Sequence, residues 1–401
     1  MKIAVFIKST TLHNGFGGLE TQNKVLCEGL AKRGHSVVVF SQKNNLEINS
    51  AEEKGVKYIF VESSYRYLFS TLNKNSWYNK SVEAFKQVHD QNPFDLVISQ
   101  SSAGYGVIEQ KKSLKVKVIA IAHGTVVGEF KTLLNNIQIK NIKDLYWFGR
   151  NVQYVLRQFF GRQRQYLLHS NRVVAVSNAV KKQIIEETFI LDDQVSVINN
   201  GIDEQKFFVD SKDNNGHHKE KLNLLYVGQV ARDKGLDILP VLFADPKMKD
   251  VHVDVVGSGD YLQKLQEFVA KNGLQSSIKL HGKVPYEKVK EFYFDKSVDV
   301  FIFPTKRVEG LPMVLVEAMF ASLPVVAFDL GGVGDVVIND QNGYLLSAGD
   351  IIGFKNKLLS FIENKGVLDP LKQNALEHAK SNFTLDIMLT KYENVFKEVL
   401  K

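Results

Sequence analysis

Short apolar runs, each followed by a turn and an amphipathic stretch, recur along this chain and then start again. The first half carries KIAVFI, SVVVF, DLVIS, KVIAIA and RVVAVS; the second carries LNLLYVG, VHVDVVG, VDVFIFP and LPVVAF. None alternates cleanly between apolar and polar residues, so each reads as a strand buried on both faces. The amphipathic stretches between them read as helices covering those faces. Such layering is α/β with a parallel sheet. The restart follows a polar gap, DSKDNNGHHKEK, which puts a hinge within residues 198–222. The expected fold class is therefore α/β, with two doubly wound, Rossmann-like domains facing each other across a cleft. Ligands should bind at the carboxyl ends of the strands. The expected division is 1–198, 199–384 and a C-terminal helix over 385–401. That helix is amphipathic through Leu389, Tyr392, Val395, Phe396 and Val399. It either caps the second domain or crosses back to the first.

A length of 401 residues fits two domains of roughly 200. The hydrophobic fraction of 44% suffices for two cores. The single cysteine, Cys27, excludes an internal disulfide and fits a reducing compartment. The N-terminus, MKIAVFIKST, reads as a strand rather than a signal peptide. No stretch approaches the ~20 apolar residues of a membrane span. These features predict a cytoplasmic protein, free or peripheral on the cytosolic face of a membrane. His217 and His218, in the polar gap, have no carboxylate or cysteine partners at ligand spacing. They read as a solvated loop, and no metal site is expected.

Several turns carry chemistry. After the first strand comes TLHNGFGGLETQ, where Gly15, Gly17 and Gly18 precede a helix beginning near Leu19. Glycines there let backbone approach a ligand, and a helix N-terminus favours an anion. A dinucleotide fingerprint would need a third glycine where Glu20 stands and an acid closing the second strand, which ends VVVFSQ. A dehydrogenase is thereby disfavoured. His123 stands at a strand's carboxyl end in IAHGT. The second half opens with LLYVGQVARDKGLDIL: Gly228 ends the strand, and Arg232 and Lys234 follow in the turn before a helix. Two cations beside a helix N-terminus suit a diphosphate; a solvated charged loop would look the same. Gly257 and Gly259 form another glycine turn, in VVGSGDYL.

Glu309 and Glu317 stand with seven residues between them in the otherwise apolar EGLPMVLVEAMF. Carboxylates in such surroundings cost several kcal/mol unless hydrogen-bonded; sugar and ribose hydroxyls are donors that could bond them. Pro312 suits the first turn of a helix running through Glu317. Glu309 would then sit in the preceding loop, with the amides of Leu311, Pro312's successors Met313 and Val314, and Gly310 nearby. The two acids fall at different depths, unlike two carboxylates flanking one bond.

Taken in order, GFGGLE, the strand-end HG, VSNAV, NNGID, RDKG, EGLPMVLVEAM and the following GG resemble the retaining glycosyltransferases of family four, of GT-B fold, over nearly the whole chain. The resemblance implies a nucleotide-diphosphate sugar donor, UDP-linked in expectation, held mainly by the second domain. It makes Arg232 and Lys234 diphosphate ligands, Glu309 a ligand of the donor-sugar hydroxyls and Glu317 of the ribose. His123 would face the sugar. Gly17 and Gly18 would lie beside the phosphates and acceptor, and Gly228, Gly257, Gly310, Leu311, Pro312, Met313 and Val314 would line the donor site. It implies same-face displacement without metal or cofactor, with the departing diphosphate helping to deprotonate the acceptor. In the family a proline and a glutamate commonly follow GG; here Gly334 and Asp335 fall in GGVGDVV. Donor identity is thus less transferable than reaction type. The competing classes are a GT-B sugar-nucleotide epimerase and a non-catalytic sugar-nucleotide-binding protein.

The net charge of +7 is concentrated. Lys131, Lys140, Lys143, Arg150, Arg157, Arg162, Arg164 and Arg172 face only Asp144 between positions 131 and 172. Over residues 145–166, Leu145, Phe148, Val152, Val155 and Phe159 share one helical face. Arg150, Arg157 and Arg164 lie on the opposite face, with Tyr146, Trp147, Tyr154 and Phe160 nearby. A basic, aromatic amphipathic helix suits an anionic membrane surface; packing in the core is the other reading. No nucleic-acid recognition motif accompanies the charge. The acceptor is expected to be a glycan or lipid-linked molecule in cell-surface polysaccharide or glycolipid assembly.

Overall fold

The computed structural model describes residues 1–13, 17–64, 74–137, 142–208 and 221–401. Gly15, Lys140, His217 and His218 lie outside them. The chain divides into two compact units: Met1–Val127, Leu145–Gly201 and Leu385–Lys401 form the first, Gly128–Asp144 and Ile202–Thr384 the second.

The first unit is built on β1 (Lys2–Phe6), α1 (Gly18–Lys32), β2 (Ser36–Gln42), β3 (Ser50–Glu53), β4 (Val56–Val61), α2 (Trp77–His89), β5 (Leu96–Gln100), α3 (Tyr105–Gln110) and β6 (Lys117–Ala122). Helix α4 (Val126–Asn136) carries the chain into the second unit. It is followed by α5 (Ile142–Phe159), α6 (Arg162–His169), β7 (Arg172–Ala175), α7 (Asn178–Thr188) and β8 (Val195–Val197). The strands pair in the order β3-β4-β2-β1-β5-β6-β7-β8. All neighbours are parallel except β3 and β4. The central strands β1, β5 and β6 are buried along almost their whole length, as unalternating apolar runs require when helices cover both faces. Helix α7 starts where the Ser177 hydroxyl accepts the Val180 amide at 3.1 Å.

The second unit comprises α8 (Glu204–Phe207), β9 (Leu222–Val227), α9 (Leu239–Leu242), β10 (Val251–Val256), α10 (Leu262–Lys271), β11 (Ile278–Gly282), α11 (Tyr286–Tyr293), β12 (Val300–Phe303), α12 (Met313–Phe320), β13 (Val325–Phe328), β14 (Gly343–Leu346), α13 (Ile351–Glu363) and α14 (Leu368–Asn382). Its sheet runs β11-β10-β9-β12-β13-β14 and is parallel throughout. The strand order reverses between β9 and β12, which makes the carboxyl ends of these two strands the switch point where ligands bind in open α/β sheets.

The final helix, α15 (Leu385–Leu400), belongs to the first unit. Met388, Leu389, Tyr392, Val395 and Phe396 are buried. A Cβ at Gly29 of α1 would stand 2.8 Å from the Leu389 side chain, so α1 presents a glycine where α15 lies against it. Arg33 ties the two helices through Glu393, at 2.8 Å, and through Asp386.

Three expectations need amendment. Segment Gly128–Asp144 falls within the span read as the first domain but groups with the second unit. On α4 the Thr132 hydroxyl accepts the Val308 amide at 2.9 Å, and Asn136 Nδ2 donates to the Lys306 carbonyl at 3.4 Å. The amphipathic stretch over 145–166 is two helices rather than one, so Arg164 does not continue the face of Arg150 and Arg157. The break is at Gly161, where a Cβ would meet the Arg157 carbonyl at 2.5 Å. The helix expected after Lys234 is replaced by 3₁₀ turns at Arg232–Lys234 and Leu236–Ile238 and a single α-turn, α9. A one-turn helix has little macrodipole to offer an anion, so the two cations themselves carry the electrostatic argument.

Candidate functional site

The loops leaving β9 and β12 meet at the switch point of the second sheet. Gly228 after β9 and Gly257 after β10 stand back to back, with φ of 150° and 145°. A Cβ on Gly257 would come within 1.8 Å of the Gly228 carbonyl oxygen. Glycine here lets two strand-end turns touch, which explains both residues without a ligand. The β9 loop continues to Arg232 and Lys234; the β12 loop runs from Pro304 through Glu309 to α12.

These loops are stitched together. The Lys306 amide donates to the Asp233 carbonyl at 2.9 Å, and Lys306 Nζ pairs with Asp237 at 2.6 Å. Lys234 Nζ lies 2.7 Å from Glu309 Oε1, and the wholly buried Thr305 hydroxyl donates to the same oxygen at 3.1 Å. Beyond β13, the Gly332 amide donates to the Glu309 carbonyl at 2.8 Å. Gly331 has φ of 61°, and a Cβ on it would stand 2.3 Å from that carbonyl oxygen. Glu309 is therefore held at its backbone by the 331–332 turn and at its side chain by Lys234 and Thr305.

Glu317 lies half-buried on α12, beside the buried Leu315, Val316, Ala318, Met319 and Phe320. Burial pushes its carboxyl up to about 7, against the opposing effect of the Tyr293 hydroxyl, which donates to Oε2 at 2.9 Å. Leu311 and Pro312 are buried, whereas Gly310, Met313 and Val314 are partly open. Arg232 stacks its guanidinium 5.9 Å from the Tyr261 ring centroid. It lines a small polar cavity with Lys306, Asp237, Asn135, Asn136 and Ile137. Among the described residues no group of three His, Cys, Asp or Glu side chains is arranged to hold a metal ion.

In the first unit, Gly17 caps α1 and Gly18 opens it; the Gly17 amide donates to Glu20 Oε2 at 2.9 Å. This local bond gives Glu20 a capping role where a dinucleotide fingerprint would have glycine. His123 follows β6 and makes a 2.7 Å hydrogen bond through Nε2 to Gln100 Oε1. Burial lowers its pKa to about 4.

The structure thus brings Lys234 and Glu309 into contact and sets Glu317 apart on the following helix with Tyr293. Thr305, Tyr293, Thr132 and Gln100 were not singled out in the sequence. Thr305 stands in the quoted strand-to-loop stretch, yet a threonine ending a strand carries no distinctive signal. The others act across 24 residues (Tyr293 to Glu317), 176 (Thr132 to Val308) and 23 (Gln100 to His123), beyond any local pattern.

Comparison with known proteins covers both halves. The family model described as Glycosyltransferase Family 4 matches residues 16–206, and that of Glycosyl transferases group 1 matches residues 208–379. An uncharacterised glycosyltransferase of Methanocaldococcus jannaschii is 31% identical over 231 residues, covering 58% of this chain and 60% of its own length. The capsular polysaccharide biosynthesis glycosyltransferase CapM of Staphylococcus aureus is 26% identical over 243 residues, 57% of this chain and 62% of that protein. The chain thus spans about 60% of the length of these two relatives. The crystal structure of Anabaena HepE in complex with UDP matches with a TM-score of 0.71 and 17% identity, covering 99% of this chain and 100% of that one. That likeness speaks for the fold, two α/β domains with parallel Rossmann-like sheets, the GT-B architecture. With one glycosyltransferase model on each half and the matching fold throughout, the chain is a family-four-like glycosyltransferase.

Proposed function

We propose that this protein is a retaining glycosyltransferase that moves a hexose from a nucleotide-diphosphate sugar, UDP-linked, to a glycan or lipid-linked acceptor in cell-surface polysaccharide or glycolipid assembly. The observation that carries the reading is the convergence of Lys234, Thr305 and Glu309 at the switch point of the second sheet, with Arg232 in the same turn. Lys234 and Arg232 take the diphosphate oxygens, Glu309 the sugar hydroxyls and Glu317 the ribose hydroxyls. The donor-facing backbone runs from Gly310 to Val314. HepE, solved with UDP, and CapM, named for capsular polysaccharide, support the nucleotide and the product class.

In the step proposed, the acceptor hydroxyl attacks the anomeric carbon from the face the diphosphate leaves. The bond from that carbon to the diphosphate oxygen breaks as the new glycosidic bond forms, and the acceptor proton passes to the departing diphosphate. Configuration is retained. The cations stabilise leaving-group charge, so catalysis is positioning and charge stabilisation, calling for neither metal nor cofactor.

The test is nucleoside diphosphate release from a panel of UDP-, GDP- and ADP-sugars, with and without a lipid extract, with product anomeric configuration read by NMR. Acceptor-dependent release with retention is expected. No release from any donor, or an inverted product, overturns the reading; isomerisation of the donor without an acceptor would make the protein an epimerase.

A specific observation also favours a cytoplasmic protein docked on an anionic membrane. Helix α5 buries none of its residues. Leu145, Tyr146, Trp147, Tyr154 and Leu156 are exposed alongside Lys143, Arg150 and Arg157, and Arg150 lies 5.2 Å from the Trp147 ring centroid. Core packing does not explain such a face, whereas aromatic rings among basic side chains suit headgroup depth. No helix among the described residues is long and apolar enough to cross a membrane. Sedimentation with phosphatidylglycerol vesicles, but not with phosphatidylcholine vesicles, is expected and should be lost in the double variant Trp147→Ser, Arg150→Glu. Equal, negligible sedimentation with both overturns this docking.

A further inference from the structure

The loop that carries Glu309 is gripped from two sides, both within the second unit. On one side is the turn after β9. The Lys306 amide donates to the Asp233 carbonyl at 2.9 Å, and the Arg307 guanidinium lies 3.8 Å from Asp233 Oδ2. On the other side is α4, whose residues from Gly128 onward belong to this unit. Thr132 is its contact point. The Thr132 hydroxyl donates to the Gly128 carbonyl one turn back, at 3.0 Å. Its hydrogen is thereby used, and only lone pairs remain for the loop. One of them accepts the Val308 amide at 2.9 Å. One turn further along, Asn136 Nδ2 donates to the Thr132 carbonyl at 2.8 Å and to the Lys306 carbonyl at 3.4 Å.

Val308 immediately precedes Glu309, and the Glu309 carbonyl accepts the Gly332 amide at 2.8 Å. The Glu309 backbone is therefore held by α4 just before it and by the 331–332 turn just after it. Without the Thr132 oxygen, the amide of the half-buried Val308 would lose its acceptor, which costs free energy unless the loop opens to water. An opened loop carries Glu309 with it. We propose that Thr132 is a positioning residue: by clamping the Val308 amide it keeps the Glu309 carboxylate where the hydroxyls of the donor sugar meet it. The clamp is a property of the free protein. Its effect on transfer rests on the transferase reading.

The experiment reads the loop and the chemistry separately, on the full chain. Exchange of the Val308 amide hydrogen, followed by NMR, should be slow in the wild type relative to an open chain. Thr132→Val keeps the shape of the side chain and removes the oxygen. It should speed exchange at Val308 by about 10-fold, the scale of one lost hydrogen bond, and leave β12 protected. In transfer assays the same variant should lose about 10- to 100-fold in kcat, the scale of a group held slightly out of place. Its affinity for UDP, by calorimetry, should hold. Thr132→Ser keeps the oxygen and should retain both slow exchange and kcat. Fast Val308 exchange in the wild type, or unchanged exchange in Thr132→Val, overturns the clamp. Faster exchange with unchanged kcat, or a loss of kcat that serine shares, overturns the positioning role. Should Thr132→Val not fold, Asn136→Ala, which removes the Lys306 contact, is read in the same way. A wild type inert with every donor, whose Val308 exchange nevertheless depends on the Thr132 hydroxyl, would sink the transferase reading and leave the clamp standing.

Discussion

The ammonium of Lys234 and the carboxylate of Glu309 are 2.7 Å apart, so the groups proposed to hold the donor's diphosphate and its sugar neutralise each other in the free protein. Both side chains are partly buried, 18% and 13% exposed, where a charge pair is worth more than on the surface. On the proposed reading, a nucleoside diphosphate alone would pull Lys234 away and leave Glu309 without its cation. A sugar nucleotide would replace both contacts, its hydroxyls taking over the carboxylate. Glu309→Gln should therefore bind UDP about 3- to 10-fold more tightly, the effect of relieving roughly 1 kcal/mol. The same variant should lose roughly 10²–10³ in transfer rate, as should Lys234→Ala and Arg232→Ala. Calorimetry with UDP and initial-rate assays measure the two effects. Weaker UDP binding in Glu309→Gln would show that the pair is not what the nucleotide competes with.

Gly331 supports Glu309 from behind, and Gly331→Ala tests that support without touching any charged group. At φ of 61° and ψ of −130° the backbone is in a region essentially reserved for glycine, costing an L-residue on the order of 1–3 kcal/mol, and the new methyl would press on the Glu309 carbonyl from 2.3 Å. The loop has to move. The expected result is a transfer rate reduced by at least 10-fold in protein whose circular dichroism remains native. Unchanged kinetics in a folded Gly331→Ala variant would mean the 331–332 turn does not hold the loop.

Helix α15 depends on Arg33 for its polar anchor. Burial raises the Glu393 pKa, but hydrogen bonds from His35 and Arg33 outweigh it, and the carboxyl ends below its usual range. A depressed carboxyl stabilises the fold above its unfolded pKa, and that contribution disappears as pH falls through the lower, folded value. Arg33→Ala should cost about 1–3 kcal/mol near neutrality by stripping partners from a half-buried carboxylate. The loss should shrink in acid. Urea unfolding at pH 7 and pH 4, with hydrogen exchange to localise the change to α15, checks both statements; equal losses at the two pH values would contradict the second.

What could be read from the sequence and what could not follows from the range of the interactions. The buried parallel strands and the restart of the pattern announce themselves locally, since a strand covered on both faces must be apolar throughout. Strand β3, SAEE, is half-exposed at the sheet edge and carries no such signature. The site's charged residues were visible because Glu309 and Glu317 sit in apolar surroundings and Arg232 and Lys234 in a turn. Their pairing was not, because Lys234 and Glu309 are 75 residues apart. The break between α5 and α6 holds Gly161, closely approached by the Arg157 carbonyl, and is invisible to a pattern of apolar spacing that runs past it.

Glu317 gives the protein a pH dependence whose sign is opposite to that of Glu393. Burial raises its carboxyl to about 7 from the ordinary 4.5, with the Tyr293 bond opposing. An acid raised in the folded state holds its proton where the unfolded chain has lost it. Its contribution to stability is complete below about pH 4.5 and disappears as pH rises towards 7. The span of the shift corresponds to at most roughly 3 kcal/mol. Glu317→Gln keeps a neutral side chain at every pH, so the difference in unfolding free energy between variant and wild type should grow in the variant's favour from pH 5 to pH 8. Ligand binding should run the other way. Ribose hydroxyls donate to a carboxylate better than to the neutral acid, so wild-type affinity for UDP should rise as pH passes through 7, with proton release visible as buffer-dependent calorimetric heat. Glu317→Gln should bind more weakly at pH 8 and show no such rise. A wild-type affinity that is flat from pH 6 to pH 8, matched by the variant, would remove Glu317 from the nucleotide site and leave it as a buried acid held by Tyr293.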